Sequence, residues 1–166
     1  MDDDAVGQIT ERWRAIRPDL DPDPMLVIGR ISRLAGSIDA LLRPPFAAAK
    51  LGNGDFDVLA ALRRADDAHT LTPGELSRAM LVTTGAVTKR VDRLERRGLV
   101  VRAIAEGDAR GRRISLTRDG AELVDRLMEE HLDRQRALLD GLTANQRAQL
   151  ANLLGRLSVT VEQLDA

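Results

Sequence analysis

The sequence has no cysteine and no tyrosine, and aromatic residues make up 2% of it: Trp13, Phe46 and Phe56. Without thiols the chain can form no disulfide, thiolate metal site, cysteine nucleophile or cysteine redox sensor. No apolar run approaches the roughly 18 residues of a membrane span, and the opening stretch MDDDAVGQIT is acidic where a secretory signal is basic and then apolar. A cytoplasmic protein with no membrane partner is therefore expected. There is no glycine-rich phosphate loop and no G-x-S-x-G elbow. The two histidines stand apart, His69 after Asp66 and Asp67 and His131 after Glu129 and Glu130, with no second ligand at metal-binding spacing. Neither an enzyme, nor a metal site, nor a cofactor is expected.

What is present suits one helical domain. The 166 residues are 43% hydrophobic and 31% charged, enough apolar material for a core of its own. With so few rings that core is aliphatic. Lys50 and Lys89 are the only lysines, so arginine carries most of the positive charge; arginine, alanine and leucine all favour helices. The net charge of −1 hides a gradient: Thr84 to Arg113 holds nine basic and four acidic residues, net +5, against −6 elsewhere. A positive segment on an acidic protein is the footprint of a localised polyanion contact, or of a solvated charged helix.

Periodicity divides the chain. Ile9, Trp13 and Ile16 share a face of a first helix, Ala5 to Arg17, ended by Pro18. After PDLDPDP, an apolar stripe from Ile28 to Leu42 marks a long helix. Asn53 and Asp55 can cap a third helix through Asp66, with Phe56, Leu59 and Leu62 on one part of its surface. Thr72-Pro73-Gly74-Glu75 is a capping box that starts a short helix through about Met80. Leu81-Val82-Thr83 turns the chain into a further helix, Thr84 to Arg97, closed by Gly98. Its inward face is Val87, Val91 and Leu94; the remaining Thr84, Thr88, Lys89, Arg90, Arg93, Arg96 and Arg97 are expected outward. Leu99 to Ile104 and Ile114 to Leu116 read as a two-stranded hairpin with an arginine-rich tip. Thr117 caps a long helix to about Asp140, and a second capping box, Thr143 to Gln146, opens a last one.

The expected fold is mainly α with a small β-hairpin, a winged helix-turn-helix between N- and C-terminal dimerisation helices. Residues 1–50 hold the N-terminal helices, 51–117 the winged domain and 118–166 the C-terminal helices. A major groove admits one helix with an apolar and a basic face, and an arginine-bearing tip suits the minor groove. Double-stranded DNA is thus the expected partner; the alternative is a winged module that binds ligand or protein without DNA. The stripes at Ile28 to Leu42 and Leu150 to Leu164 exceed the needs of so small a core, which implies a homodimer on a palindromic site.

The stretch LTPGELSRAMLVTTGAVTKRVDRLERRGLVVR, followed by GDARGRRISLTRDG, resembles the helix-turn-helix and wing of the MarR family of transcriptional regulators. The resemblance implies a repressor, with Thr83, Thr84, Thr88, Lys89, Arg90 and Arg93 on or beside the DNA-reading helix. It also implies that Asp108 positions Arg110 for the minor groove. Ala109 stands where a second arginine is common, and Arg112 is the nearby replacement.

Asp57 and Arg64 lie seven residues apart on one helix face, about 10 Å of rise, as a ligand pair or as plain surface charge. Trp13 is a packing anchor or a stacking platform. The extra Trp-bearing helix with PDLDPDPMLVIGRISR and GDFDVLAALRRADD is similar to the urate-responsive branch of the same family. That likeness implies a small anionic aromatic effector such as urate at Trp13, Asp57 and Arg64, with a fourth arginine between Arg90 and Arg102.

Overall fold

The computed structural model describes residues 4–65, 69–105 and 108–164, and for 104, 105 and 108–111 the backbone alone. It is mainly helical with a small antiparallel sheet. The chain divides into two compact units, Met1–Pro44 and Pro45–Ala166.

The first unit pairs α1 (Ala5–Ile16) with α2 (Pro24–Leu42). Val6 and Thr10 are its buried residues on α1; the Thr10 hydroxyl donates to the Val6 carbonyl at 2.8 Å, which satisfies it without a partner from elsewhere. Arg30 pairs with Asp4 and Arg14 with Asp23, joining the two helices at the surface. No residue of α2 is buried.

The second unit comprises α3 (Pro44–Ala48, less its first residue), α4 (Asp55–Arg63), β1 (Thr70–Leu71), α5 (Pro73–Met80), α6 (Thr84–Arg96), β2 (Val100–Ala105), β3 (Asp108–Leu116), α7 (Arg118–Leu138) and α8 (Ala144–Leu164). Its sheet has three strands in the order β1-β3-β2, not the two of a simple hairpin. Thr70 and Leu71 add an edge opposite Ser115 and Ile114, and Thr70 and Ser115 share a hydroxyl hydrogen bond of 2.7 Å.

The core centres on α4. Seven of its nine residues are buried, among them Val58, Leu59 and Leu62 at 0% exposure. The sequence predicts a one-faced helix here; in the structure α5, α6, α7 and β3 enclose it. Its cap also differs from expectation. Gly54, in the left-handed region at φ +74°, is the N-cap, while Asp55 sits inside the helix and is 2% exposed. The Asp55 carboxylate accepts from the Gly52 amide at 2.8 Å and from Arg93 of α6. Both capping boxes form as the sequence predicts: the Glu75 amide donates to the Thr72 hydroxyl, and the Thr143 amide donates to Gln146. At the start of α7, Gly120 passes so close to the residue before β2 that a Cβ would lie 2.0 Å from the Leu99 carbonyl oxygen.

Candidate nucleic-acid interface and effector cleft

The α5–α6 pair is a helix-turn-helix. Thr72 and Glu75 fix the start of α5, and Leu81 ends it in the left-handed conformation at φ 53°. The Ser77 hydroxyl donates to the Val82 carbonyl at 2.5 Å, which ties the turn to the helix before it. Thr83 caps α6 by accepting from the Ala86 amide. Val87, Val91 and Leu94 are buried beneath, as their spacing requires. Thr83, Thr84, Thr88 and Lys89 are exposed on the other side, and the Thr88 hydroxyl donates back to the Thr84 carbonyl at 3.0 Å. Hydroxyls and one ammonium at the N-terminal end of a helix are the groups that meet base edges and phosphates.

Arg90 and Arg93, expected on the same face, reach from α6 toward the first turn of α4. Arg93 binds Asp55 through both oxygens, Nη2 to Oδ1 at 2.6 Å and Nε to Oδ2 at 3.3 Å. This pairing raises the Arg93 pKa and places the arginine against α4. A buried carboxylate needs a compensating charge, and Arg93 is the one that reaches it. Arg90 lies across Gly54, where an added Cβ would come within 2.1 Å of its guanidinium carbon. Its Nη1 is buried without a hydrogen-bond acceptor and pairs with the Asp57 carboxylate at 3.9 Å. Two arginines of the basic helix thus anchor it to the first turn of α4. Arg97 does similar work at the other end, donating to the Ala49 and Lys50 carbonyls.

The wing is β2 and β3. Arg112 and Arg113 are exposed. The backbones of Asp108 and Arg110 run in β3; their side chains lie outside the described residues. Arg102 turns inward to Asp92 and to Glu95, the latter at 2.5 Å, and braces the wing on α6.

Behind the helix-turn-helix lies a cleft of about 420 Å³ formed by α4, the end of α5 and α7. Asp57 and Arg64 both line it, as their spacing on one face suggested, together with Phe56, Met80, Met128 and His131. Arg64 donates one long hydrogen bond, 3.4 Å, to the Ala79 carbonyl. Trp13 belongs to the first unit, on α1, and is 46% exposed. Sequence reasoning did not single out His131 for the cleft. The inward stripe of α7, extended one turn past Met128, leads to it.

A positive helix docked by its apolar face, a preceding helix across a tight turn and a following antiparallel wing define a winged helix-turn-helix protein of the DNA-binding class. Comparison with known proteins agrees. The MarR family model matches residues 51–111. The transcriptional regulator PecS of Dickeya dadantii (strain 3937) is 40% identical over 152 residues, 92% of each chain. Among solved structures, a MarR variant from E. coli complexed with operator DNA superposes with a TM-score of 0.69 and 29% identity, over 87% of this chain and 96% of that one. NadR in complex with 4-hydroxyphenylacetate gives 0.61 and 26%, over 80% and 91%. The chain belongs to the MarR family of transcriptional regulators. Members of that family are non-enzymatic, and no described helix is long and apolar enough to cross a membrane.

Proposed function

We propose that the chain acts as a homodimeric repressor on a palindromic operator and is released from it by a small anionic aromatic effector. The DNA part is carried by one observation: α6 buries Val87, Val91 and Leu94 and leaves Thr83, Thr84, Thr88 and Lys89 exposed in its N-terminal half. Those four, with Arg112 and the wing residues Asp108 and Arg110, form the DNA-contacting set, while Arg90 and Arg93 position the helix. The operator complex of the related MarR protein supports the reading.

Assembly follows from what the protomer leaves in water. Neither α2 nor α8 buries a residue, yet they expose Ile28, Leu34 and Leu41, and Leu150, Leu153 and Leu154, respectively. Apolar stripes of that length call for a partner, and a second copy supplies it with two-fold symmetry. Half-sites about one turn, roughly 10 bp, apart follow.

In the cleft, an anion paired with Arg64 lies beside Asp57. Repulsion of Asp57, and competition for Arg90 at 3.9 Å, loosens the tie between α4 and α6. Arg90 is thus the fourth arginine of the set. An effector works only through such differential affinity for the two states. Urate is the first candidate by resemblance, and an aromatic carboxylate the second, which the 4-hydroxyphenylacetate complex of NadR supports. Trp13, the stacking residue that the resemblance implies, belongs to the first unit, and quenching of this sole tryptophan by urate tests its part by itself.

The deciding experiment is a mobility shift with the DNA upstream of the chain's own and neighbouring genes. A specific complex, preferred over random DNA at moderate salt and dissolved by urate, is the expected result. Equal binding to random DNA removes the operator reading in favour of a winged module without DNA. A complex unmoved by urate at millimolar concentration removes the purine.

A further inference from the structure

We propose that His131 is a recognition residue of the cleft, taking up a proton as an anionic ligand binds, so that the effector is selected by charge through a histidine as well as through Arg64. This rests on the reading of the cleft as the effector site. His131 projects from α7 into the wall formed with Asp57, Arg64 and Gln135. Its ring packs on Phe46 and Phe56, centroids 5.3 and 5.6 Å away, and those two rings stack on each other at 4.4 Å. Nε2 lies 2.9 Å from the Gln135 side-chain amide, and Nδ1 is buried with no hydrogen-bond partner.

Burial among the phenylalanines holds the imidazole below its ordinary value of 6.5, and the Asp57 carboxylate only partly opposes this. The ring is therefore neutral near pH 7 in the free protein. The charges around it are few. From α4 comes Asp57 and from its C-cap Arg64, with Arg90 of α6 beyond Asp57; α3 contributes Phe46, and the α5 end Ala79, Met80 and Leu81. Its own helix lines the cleft with Met128, Leu132 and Gln135, none of them charged.

A ligand carboxylate entering beside Arg64 adds a negative charge where water is displaced. An opposite charge in such surroundings favours imidazolium against the desolvation that now suppresses it. The Nε2 lone pair takes a proton from solvent, the Gln135 amide turns its oxygen to accept it, and the ligand stays an anion. The phenylalanine faces suit the resulting cation. Binding then draws up to one proton per protomer. Affinity is highest below the free histidine's pKa and falls by up to tenfold per pH unit between the free and the liganded pKa.

The test uses 4-hydroxyphenylacetate, whose carboxylate stays ionised from about pH 5.5 to pH 8. The chain has two histidines, so imidazole NMR is simple to assign with His69→Gln and His131→Phe, the latter chosen to keep the ring packing. The His131 resonance should titrate below the ordinary range in the free protein and move upward when the ligand saturates. Calorimetry near pH 7 in two buffers of different ionisation enthalpy should register proton uptake, and His131→Phe should bind with a flat pH profile. Binding without proton uptake, or uptake that persists in His131→Phe, overturns the role of His131 and leaves the cleft intact. If His131→Phe does not fold, the NMR titration and the calorimetry of the unaltered chain still decide. Failure of both 4-hydroxyphenylacetate and urate to bind removes the effector cleft itself, and the histidine proposal with it.

Discussion

Helix α4 and helix α8 spend similar residues in opposite ways. α4 is nine residues long and buries seven; α8 is 21 residues long, carries leucines throughout and buries none. Composition alone does not separate them. Position does: α4 is enclosed by helices and a strand, so each side chain has protein on most sides, whereas α8 presents its leucines to water in the protomer. Apolar content measures the demand for burial, and only the contact surface says whether the chain or a partner meets it.

The largest expected effect tests that division directly. Leu59→Ala, at a site with 0% exposure, should cost about 2–5 kcal/mol in chemical denaturation, because the tight enclosure of α4 cannot collapse on the void. Leu153→Ala, 59% exposed, should change protomer stability by no more than about 0.5 kcal/mol. Leu150→Asp with Leu154→Asp should instead shift sedimentation toward the monomer. A monomeric unaltered chain, or a double variant that assembles normally, breaks the comparison.

Next in size is the tie between α4 and α6. Arg93→Ala leaves Asp55, 2% exposed, without its guanidinium. Loss of a buried pair's partner costs about 3–5 kcal/mol, and since Arg93 is itself 41% exposed the lower part of that range, about 3 kcal/mol or less, is expected. Lys89→Ala should be neutral in stability and weaken DNA binding across sequences, with a smaller salt slope. If Arg93→Ala leaves the melting temperature unchanged and lowers only DNA affinity, Arg93 is a DNA contact after all and the anchoring role falls.

Arg93 also marks the limit of what the sequence made legible. Capping boxes, the turn at Leu81 and the two-faced pattern of α6 are local, and all of them were readable from spacings of three and four residues. Arg93 lies 38 residues from Asp55, and periodicity says which face a residue occupies, not whether a long side chain folds back to a neighbouring helix. β1 escaped notice because two residues carry no period; only pairing with β3 makes Thr70 and Leu71 a strand. The five residues of α3 are likewise too few to show one. In the cleft, Asp57 and Arg64 were legible as a same-face pair on one helix, while His131 required knowing that α7 packs on α4.

A smaller effect should appear in the pH dependence of stability. His131 has its pKa lowered in the folded protein by burial, so the unfolded chain binds more protons as pH falls. The stabilising contribution of the neutral ring is present above the ordinary histidine value near 6.5 and is lost as pH falls through the lower folded value. Denaturation midpoints should therefore drop on acidification below about pH 6.5. His131→Phe should flatten this decline, although other acidic-range groups such as Glu75, held below the usual carboxylate range chiefly by the Thr72 amide, still titrate at lower pH. A decline unchanged in His131→Phe would assign it elsewhere.

The smallest effect concerns Leu81, which pays for the turn between α5 and α6 with its own backbone. A non-glycine residue in the left-handed region costs about 1–2 kcal/mol, and Leu81 at φ 53° is 91% exposed, so its side chain recovers almost nothing by burial. Leu81→Gly removes the steric cost but enlarges the entropy of the unfolded chain by about 0.5–1 kcal/mol. The balance is a stabilisation between zero and about 1.5 kcal/mol, measurable as a higher denaturation midpoint with an unchanged slope. Leu81→Asn should gain less, since asparagine tolerates this conformation while retaining a Cβ. An exposed leucine kept in a strained turn beside both α6 and the cleft is also where an apolar contact with DNA or effector would be made. Stability that rises while operator affinity falls in Leu81→Gly would show that the leucine is kept for that contact. A loss of stability would mean that the turn is held by packing of Leu81 against the cleft wall, and the exposed reading of this segment would fail.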